Sequence, residues 1–276
     1  MNVFIVGLGL IGASYAEGLV KKGYHVFGYD HDESVLKRAI SYGLIDPSSS
    51  LSSISSSDLV ILALYPHDNI EFVQKNHHLF HQNQLITDVS GTKVDVVKGI
   101  ESILNESIAY TSHHPMAGKE TKGIESRDYK IFKGANFLIV NTKRSKLQDE
   151  EILKRIANDL GFKHTLTTSP KEHDQLIAFT SQLTHILAVG LVNSDAHEHT
   201  KFATGDSYRD LTRIAKINEI LWSELFIENK VALIERIEAF ESSINALKEM
   251  ILNDDLESLK NALKKAKEKR ESFDVY

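Results

Sequence analysis

The sequence predicts an α/β N-terminal half built on a doubly wound parallel sheet, followed by an all-helical C-terminal half. Three observations carry that prediction. Short β-rich runs alternate with helical stretches only in the first part of the chain. Thirteen of the 15 glycines lie at or before Gly161, and the last of the four prolines is Pro170. Beyond that point the apolar residues recur at three- and four-residue steps instead. The boundary is placed near residue 165, giving segments 1–165 and 166–276.

Each element has its own signature. Val3–Val6, His25–Tyr29, Leu59–Leu64 and Leu85–Val89 are short apolar runs of the kind buried in parallel sheets. Ile108–Thr111, Phe137–Val140 and His164–Leu166 are further candidate strands. Pro47–Asp58 is serine-rich and reads as a solvated connection, with Leu51 and Ile54 spaced to pin one turn onto the sheet. In the second half, Leu176, Phe179, Leu183, Ile186 and Leu187 mark one helix. Ile227, Val231, Ile234, Ile237, Ile244, Leu247 and Ile251 mark a longer one. Stripes this wide on long helices call for a partner subunit, so a homodimer through the helical half is expected.

Composition narrows the function. At 276 residues the chain has room for two domains, and 42% hydrophobic with 25% charged residues is the balance of a globular protein. The formal net charge of −6 argues against nucleic acid as the main partner. The basic stretch Lys260–Arg270 is broken by apolar and acidic residues and reads as a solvated helix face. With no cysteine, disulfides, thiolate metal sites and cysteine nucleophiles are excluded. The run Val3–Gly12 is far short of the roughly 20 residues that span a bilayer and lacks a basic lead-in. A cytoplasmic enzyme with no membrane partner is expected. His77, His78 and His81, like His197 and His199, lack the spacing of a metal site, so no metal is expected.

The strongest local motif is Gly7-Leu-Gly9-Leu10-Ile11-Gly12, between the first strand and a helical pattern reaching Leu19. In that setting Gly7 permits the tight turn, Gly9 lets backbone approach a pyrophosphate, and Gly12 allows close helix–strand packing. The helix N-terminus offers free N–H groups to phosphate. This is a Rossmann-type dinucleotide site. Asp30 closes the second strand 18 residues beyond Gly12, where an acid accepts from the adenine ribose and repels a 2′-phosphate, so NAD is favoured. Leu64 ends the third strand and Pro66 follows it on the same sheet edge, and the two complete the expected cofactor contacts. Ser90 and Thr92, within Asp88-Val-Ser-Gly-Thr-Lys93, either donate to a ligand there or cap a helix. His114, in His113-His114-Pro115-Met116-Ala117-Gly118, is either a general base beside the nicotinamide or a structural histidine in a restricted turn.

Together these motifs resemble the prephenate/arogenate dehydrogenase family of tyrosine biosynthesis over almost the whole chain. The resemblance rests on the glycine loop, Asp88–Lys93, His114–Gly118 with Glu120, and His173-Asp174. It rests further on Ser181-Gln-Leu-Thr-His185, and on Tyr208–Ala215 with Trp222. It implies a Rossmann domain followed by a helical dimerisation and substrate-binding domain, and NAD as cofactor. His114 is implied as the catalytic histidine at the ring hydroxyl, His185 and Arg213 as substrate-binding residues, and Glu120 as an acid at the entrance. The implied reaction is the oxidative decarboxylation of prephenate, with arogenate as the alternative substrate. A non-catalytic NAD-binding regulator is the alternative of another class. Two motifs depart from the family: Gly91 stands where a serine is usual in the first, and Gln182 and Thr184 replace histidine and proline in the second. Ser90 or Thr92 would have to take over that serine's role.

Overall fold

The computed structural model describes residues 1–82 and 84–274. Eight strands run through the first part: β1 (Asn2–Val6), β2 (His25–Tyr29), β3 (Leu59–Leu62), β4 (Leu85–Asp88), β5 (Ala109–Tyr110), β6 (Ser112–Pro115), β7 (Asn136–Val140) and β8 (His164–Thr168). Helices α1 (Leu10–Lys21), α2 (Glu33–Ser41), α3 (Pro66–Asn76), α4 (Val94–Ile103) and α5 (Leu147–Leu160) connect them. The first five strands form a parallel sheet in the order β2-β1-β3-β4-β5, the doubly wound order expected. β1, β3 and β4 are buried throughout but for the first residue of β1, as apolar runs require in β1 and β3, while Thr87 and Asp88 of β4 are bonded to His113 and Lys93. Two apolar clusters cover the faces, one around Val3, Ile5 and Leu19, the other around Phe4, Val60 and Ile86.

Two details differ from the sequence reading. β6 and β7 are antiparallel and pair with β8 in a second, three-stranded sheet. Only Thr111 separates β5 from β6, so one extended segment changes sheets; the change of partner, unlike the strand itself, leaves no mark in local periodicity. His113 and His114 lie in β6 rather than in a turn, with Pro115 paired to Phe137 at the strand's end. The serine-rich connection carries the one pinned turn that Leu51 and Ile54 lead one to expect, a 3₁₀ turn at Leu51–Ser56 with Ile54 fully buried.

The helical part begins with α6 (Pro170–Ile177), which passes through a π-helical turn at Ala178–Gln182 into α7 (Leu183–Asn193). Ser169 caps α6 through the Glu172 N–H, and Pro170 occupies the first helical position, where its missing N–H costs nothing. By length and composition alone this 24-residue helix could cross a bilayer. Its buried face, however, carries His173, Asp174 and Gln182. α8 (Thr200–Ala203), α9 (Asp206–Thr212), α10 (Glu219–Glu228), α11 (Lys230–Leu252) and α12 (Leu256–Glu271) follow. The chain forms two compact units, Met1–Asn229 and Lys230–Tyr276. Helices α6 to α10 fall in the first unit because their side chains bond into the α/β part: Asp174 to α4, Glu228 to Thr92, and Glu224 to the His67 N–H.

Candidate active site

The glycine loop closes as its residue types demand. Gly7 has φ +85°, a left-handed conformation that favours glycine. A Cβ on Gly12 would lie 1.9 Å from the Gly7 carbonyl oxygen, so the close approach of α1 to the turn needs glycine. Gly9, the N-cap of α1, is different: a Cβ there would meet nothing within 4 Å. Leu10 and Ile11 open α1, whose N-terminus has no side-chain cap and so keeps N–H groups of the kind that bind a pyrophosphate. Asp30 joins the loop to β2, accepting from the Leu8 N–H at 2.8 Å and the Asp32 N–H at 3.0 Å. Leu64 lies against Gly7 and is tied to Asn69, while Pro66 starts α3. The residues present therefore suit a dinucleotide.

β6 is bonded into this domain through His113. Its Nε2 lies 2.8 Å from the Tyr15 hydroxyl of α1, its Nδ1 2.6 Å from Thr87 of β4, and its carbonyl accepts from Lys93 at 2.7 Å. Burial, with Lys93 nearby, pushes the His113 imidazole down to about 3, so it is a neutral structural residue. Lys93 also pairs with Asp88 at 2.7 Å, both fully buried. Burial works against the Asp88 charge, but Lys93 and the Tyr110 hydroxyl hold its carboxyl below the ordinary range. Removing either partner of such a pair costs about 3–5 kcal/mol, because the other is left uncompensated.

His114 is thereby fixed beside the sheet edge, half-buried. Its Nδ1 lies 3.0 Å from His173 Nε2, and His173 Nδ1 lies 2.7 Å from Asp174 Oδ1. Asp174 in turn accepts from the Lys93 and Val94 N–H groups at 2.8 and 2.9 Å. Burial, reinforced by His173, Lys93 and His113, lowers the His114 imidazole well below its ordinary range. The arrangement holds a neutral imidazole able to accept a proton.

A second group forms where α7, α9, α10 and the segment after β6 meet. The His185 ring stacks on Trp222 with centroids 3.6 Å apart, and its Nδ1 lies 2.9 Å from the Ser181 carbonyl. Burial lowers its imidazole too, with Glu120 and Arg213 near enough to act on it. Arg213 and Glu120 form an ion pair.

Ser90 and Thr92 lie at the same sheet edge with both hydroxyls engaged. Ser90 accepts from Asn69 at 3.0 Å, and Thr92 donates to Glu228. Gly91 faces Leu225, whose side chain would lie 3.1 Å from an added Cβ. The two departures from the family pattern meet here, since Gln182 donates to the Leu225 carbonyl at 2.8 Å and accepts from Asn229. Sequence reasoning gave no role to His173 and Asp174. Their signal was two polar residues on the face of α6 that also carries Ile177 and Ala178, which the 3.6-residue period makes buried. Among the described residues, no group of three or more His, Asp or Glu side chains is placed to hold a metal ion.

Comparison with known proteins agrees with this geometry. Residues 15–166 match the family model of the prephenate dehydrogenase nucleotide-binding domain, and residues 169–265 that of its dimerization domain. The chain is 31% identical to an Aquifex aeolicus prephenate dehydrogenase solved with hydroxyphenyl propionate and NAD+. That structure superposes with a TM-score of 0.88 over 99% of this chain and 98% of the other. It is 28% identical to a Bacillus subtilis prephenate dehydrogenase over 99% of this chain and 76% of the relative. It is 26% identical to a Zymomonas mobilis cyclohexadienyl dehydrogenase over 98% and 94%. With family models over both parts of its sequence, a glycine-loop nucleotide site and a histidine on the strand beside it, the chain belongs to the prephenate dehydrogenase family of oxidoreductases.

Proposed function

We propose that the chain carries out the NAD-dependent oxidative decarboxylation of prephenate to 4-hydroxyphenylpyruvate, in tyrosine biosynthesis. The observation that carries this reading is a neutral His114 on a strand bonded, through His113 and Tyr15, to the first helix of the dinucleotide loop. The reaction needs a proton acceptor at the ring hydroxyl and a cation for a carboxylate. His114 accepts the hydroxyl proton and returns it when the ring becomes a phenol. Arg213 grips a carboxylate, and His185, braced by Trp222, lines the substrate side. Thr92 shapes the edge beneath, since its hydroxyl hydrogen is given to Glu228, whereas Ser90 accepts from Asn69 and keeps its hydrogen to donate to substrate. Bound NAD would supply the hydride acceptor. Asp30 favours NAD over NADP because its carboxylate repels a 2′-phosphate.

The nucleotide domain is assigned to residues 1–165 and the helical substrate and dimerisation domain to 166–276. A homodimer through the helical part is supported by apolar residues that the single chain leaves exposed, such as Ile220 at 63% and Ile227 at 70%.

The test follows NADH absorbance with purified protein and NAD, adding prephenate and L-arogenate in parallel. Turnover of prephenate is expected. Preference for arogenate would replace the substrate, and silence with both despite NAD binding would overturn the assignment. His114→Asn should lower kcat at least about a hundredfold while NAD still binds.

A further inference from the structure

We infer that Asp174 and His173 are positioning residues that hold His114 with its proton on Nδ1, leaving Nε2 as the one atom free to take the substrate's hydroxyl proton. The inference rests on the reading of His114 as the base.

The argument starts at the far end of the chain of bonds. The Lys93 and Val94 N–H groups at the start of α4 have no carbonyl partner within the helix and can only donate. They point at Asp174 Oδ1 and Oδ2, at 2.8 and 2.9 Å, so both oxygens must accept. His173 Nδ1, 2.7 Å from Oδ1, must then carry its hydrogen. A neutral imidazole protonated on Nδ1 has its lone pair on Nε2. That Nε2 lies 3.0 Å from His114 Nδ1, which must therefore be the donor. The same rule leaves His114 Nε2 bare.

The opposite arrangement would place a hydrogen on His114 Nε2 and remove the base. It would require Asp174 to donate to His173, which the two α4 amides oppose. Burial keeps both imidazoles below their ordinary range, so the single-proton form of each is the one present. In the reaction, the substrate O–H bond breaks as an N–H bond forms on Nε2. The positive charge created on His114 then faces a lone pair backed by a carboxylate. When the product oxygen becomes a phenol it recovers that proton, so the enzyme ends the cycle unchanged.

Two measurements on the full-length protein test this. Imidazole ¹⁵N NMR of the wild-type protein should show His114 and His173 each protonated on Nδ1 with Nε2 bare; a protonated His114 Nε2 overturns the inference. In steady-state kinetics, His173→Leu should lower kcat at least tenfold, with KM for the ring substrate and affinity for NAD within about twofold of wild type. His173→Gln keeps an acceptor for His114 Nδ1 and should recover most of that loss. If His114→Asn loses activity while His173→Leu keeps full kcat, the positioning role fails and the base reading stands. If His114→Asn is itself fully active, both fall.

Discussion

At the scale of single residues, environment rather than residue type decides which groups can do chemistry. His113 and His114 are neighbours on one strand, yet His113 has both ring nitrogens engaged by Tyr15 and Thr87 and is structural. His114 has one nitrogen engaged, by His173. Among the described residues Arg213 pairs with Glu120 alone, and Arg213→Ala is expected to raise KM for the ring substrate by about tenfold or more, with a smaller change in kcat. An unchanged KM with a lower Tm would make Arg213 structural. Glu228 shows the same logic in stability. Burial, and then the nearby Glu224, Asp95 and Asp174, raise its carboxyl to about 7, with Thr92 acting in the opposite sense. The folded chain thus keeps a proton that the unfolded chain releases in the ordinary glutamate range. The stability this confers is complete below that range and is lost as pH rises through about 7. Glu228→Gln should accordingly raise Tm at about pH 8 by a few degrees, roughly 1 kcal/mol for a half-exposed group, and change little near pH 4. An equal gain at both pH values would show that the effect is not titration.

At the scale of elements, the glycine loop separates packing from binding. Gly12→Ala drives a Cβ to 1.9 Å from the Gly7 carbonyl oxygen, so it should lower Tm and weaken NAD binding together. Gly9→Ala meets nothing within 4 Å in the protein and keeps an allowed backbone, with φ −71°. It should leave Tm unchanged while raising the Kd for NAD at least tenfold, as read by fluorescence titration. An unchanged Kd in Gly9→Ala would mean that the open space above the loop is not the cofactor's. This element was legible in the sequence because a strand, a tight turn and a helix N-terminus lie within eleven residues. The β6 strand was not: its pairing with β7 is set by residues 136–140, more than twenty positions away. The π-helical turn between α6 and α7 was equally hidden. It shifts helical phase between the buried His173–Asp174 pair and His185, and such turns are frequent at functional sites.

At the scale of the whole molecule, the unresolved demand is for apolar cover. Leu176, Ile220 and Ile227 are exposed in the single chain, as are Val231 and Ile234 in the second compact unit. Sedimentation equilibrium should therefore give twice the 31.0 kDa chain mass, and Ile227→Glu should shift the protein toward the single-chain mass. A monomer at micromolar concentration would remove the dimer from the proposal. The sequence by itself determined the doubly wound sheet, the glycine loop, the acid closing the second strand and the change to helix near residue 165. Each is written in local periodicity or in a short motif, and local backbone preference needs no distant partner. Only the tertiary structure decided which histidine is buried, that Ser90 accepts from Asn69 and Thr92 donates to Glu228, that Leu225 lies over Gly91, and that Asp174 reaches His114 through His173. These depend on contacts between residues 21 to 136 positions apart, such as Asn69 with Ser90 and Thr92 with Glu228. A one-dimensional pattern carries no record of distances that packing creates.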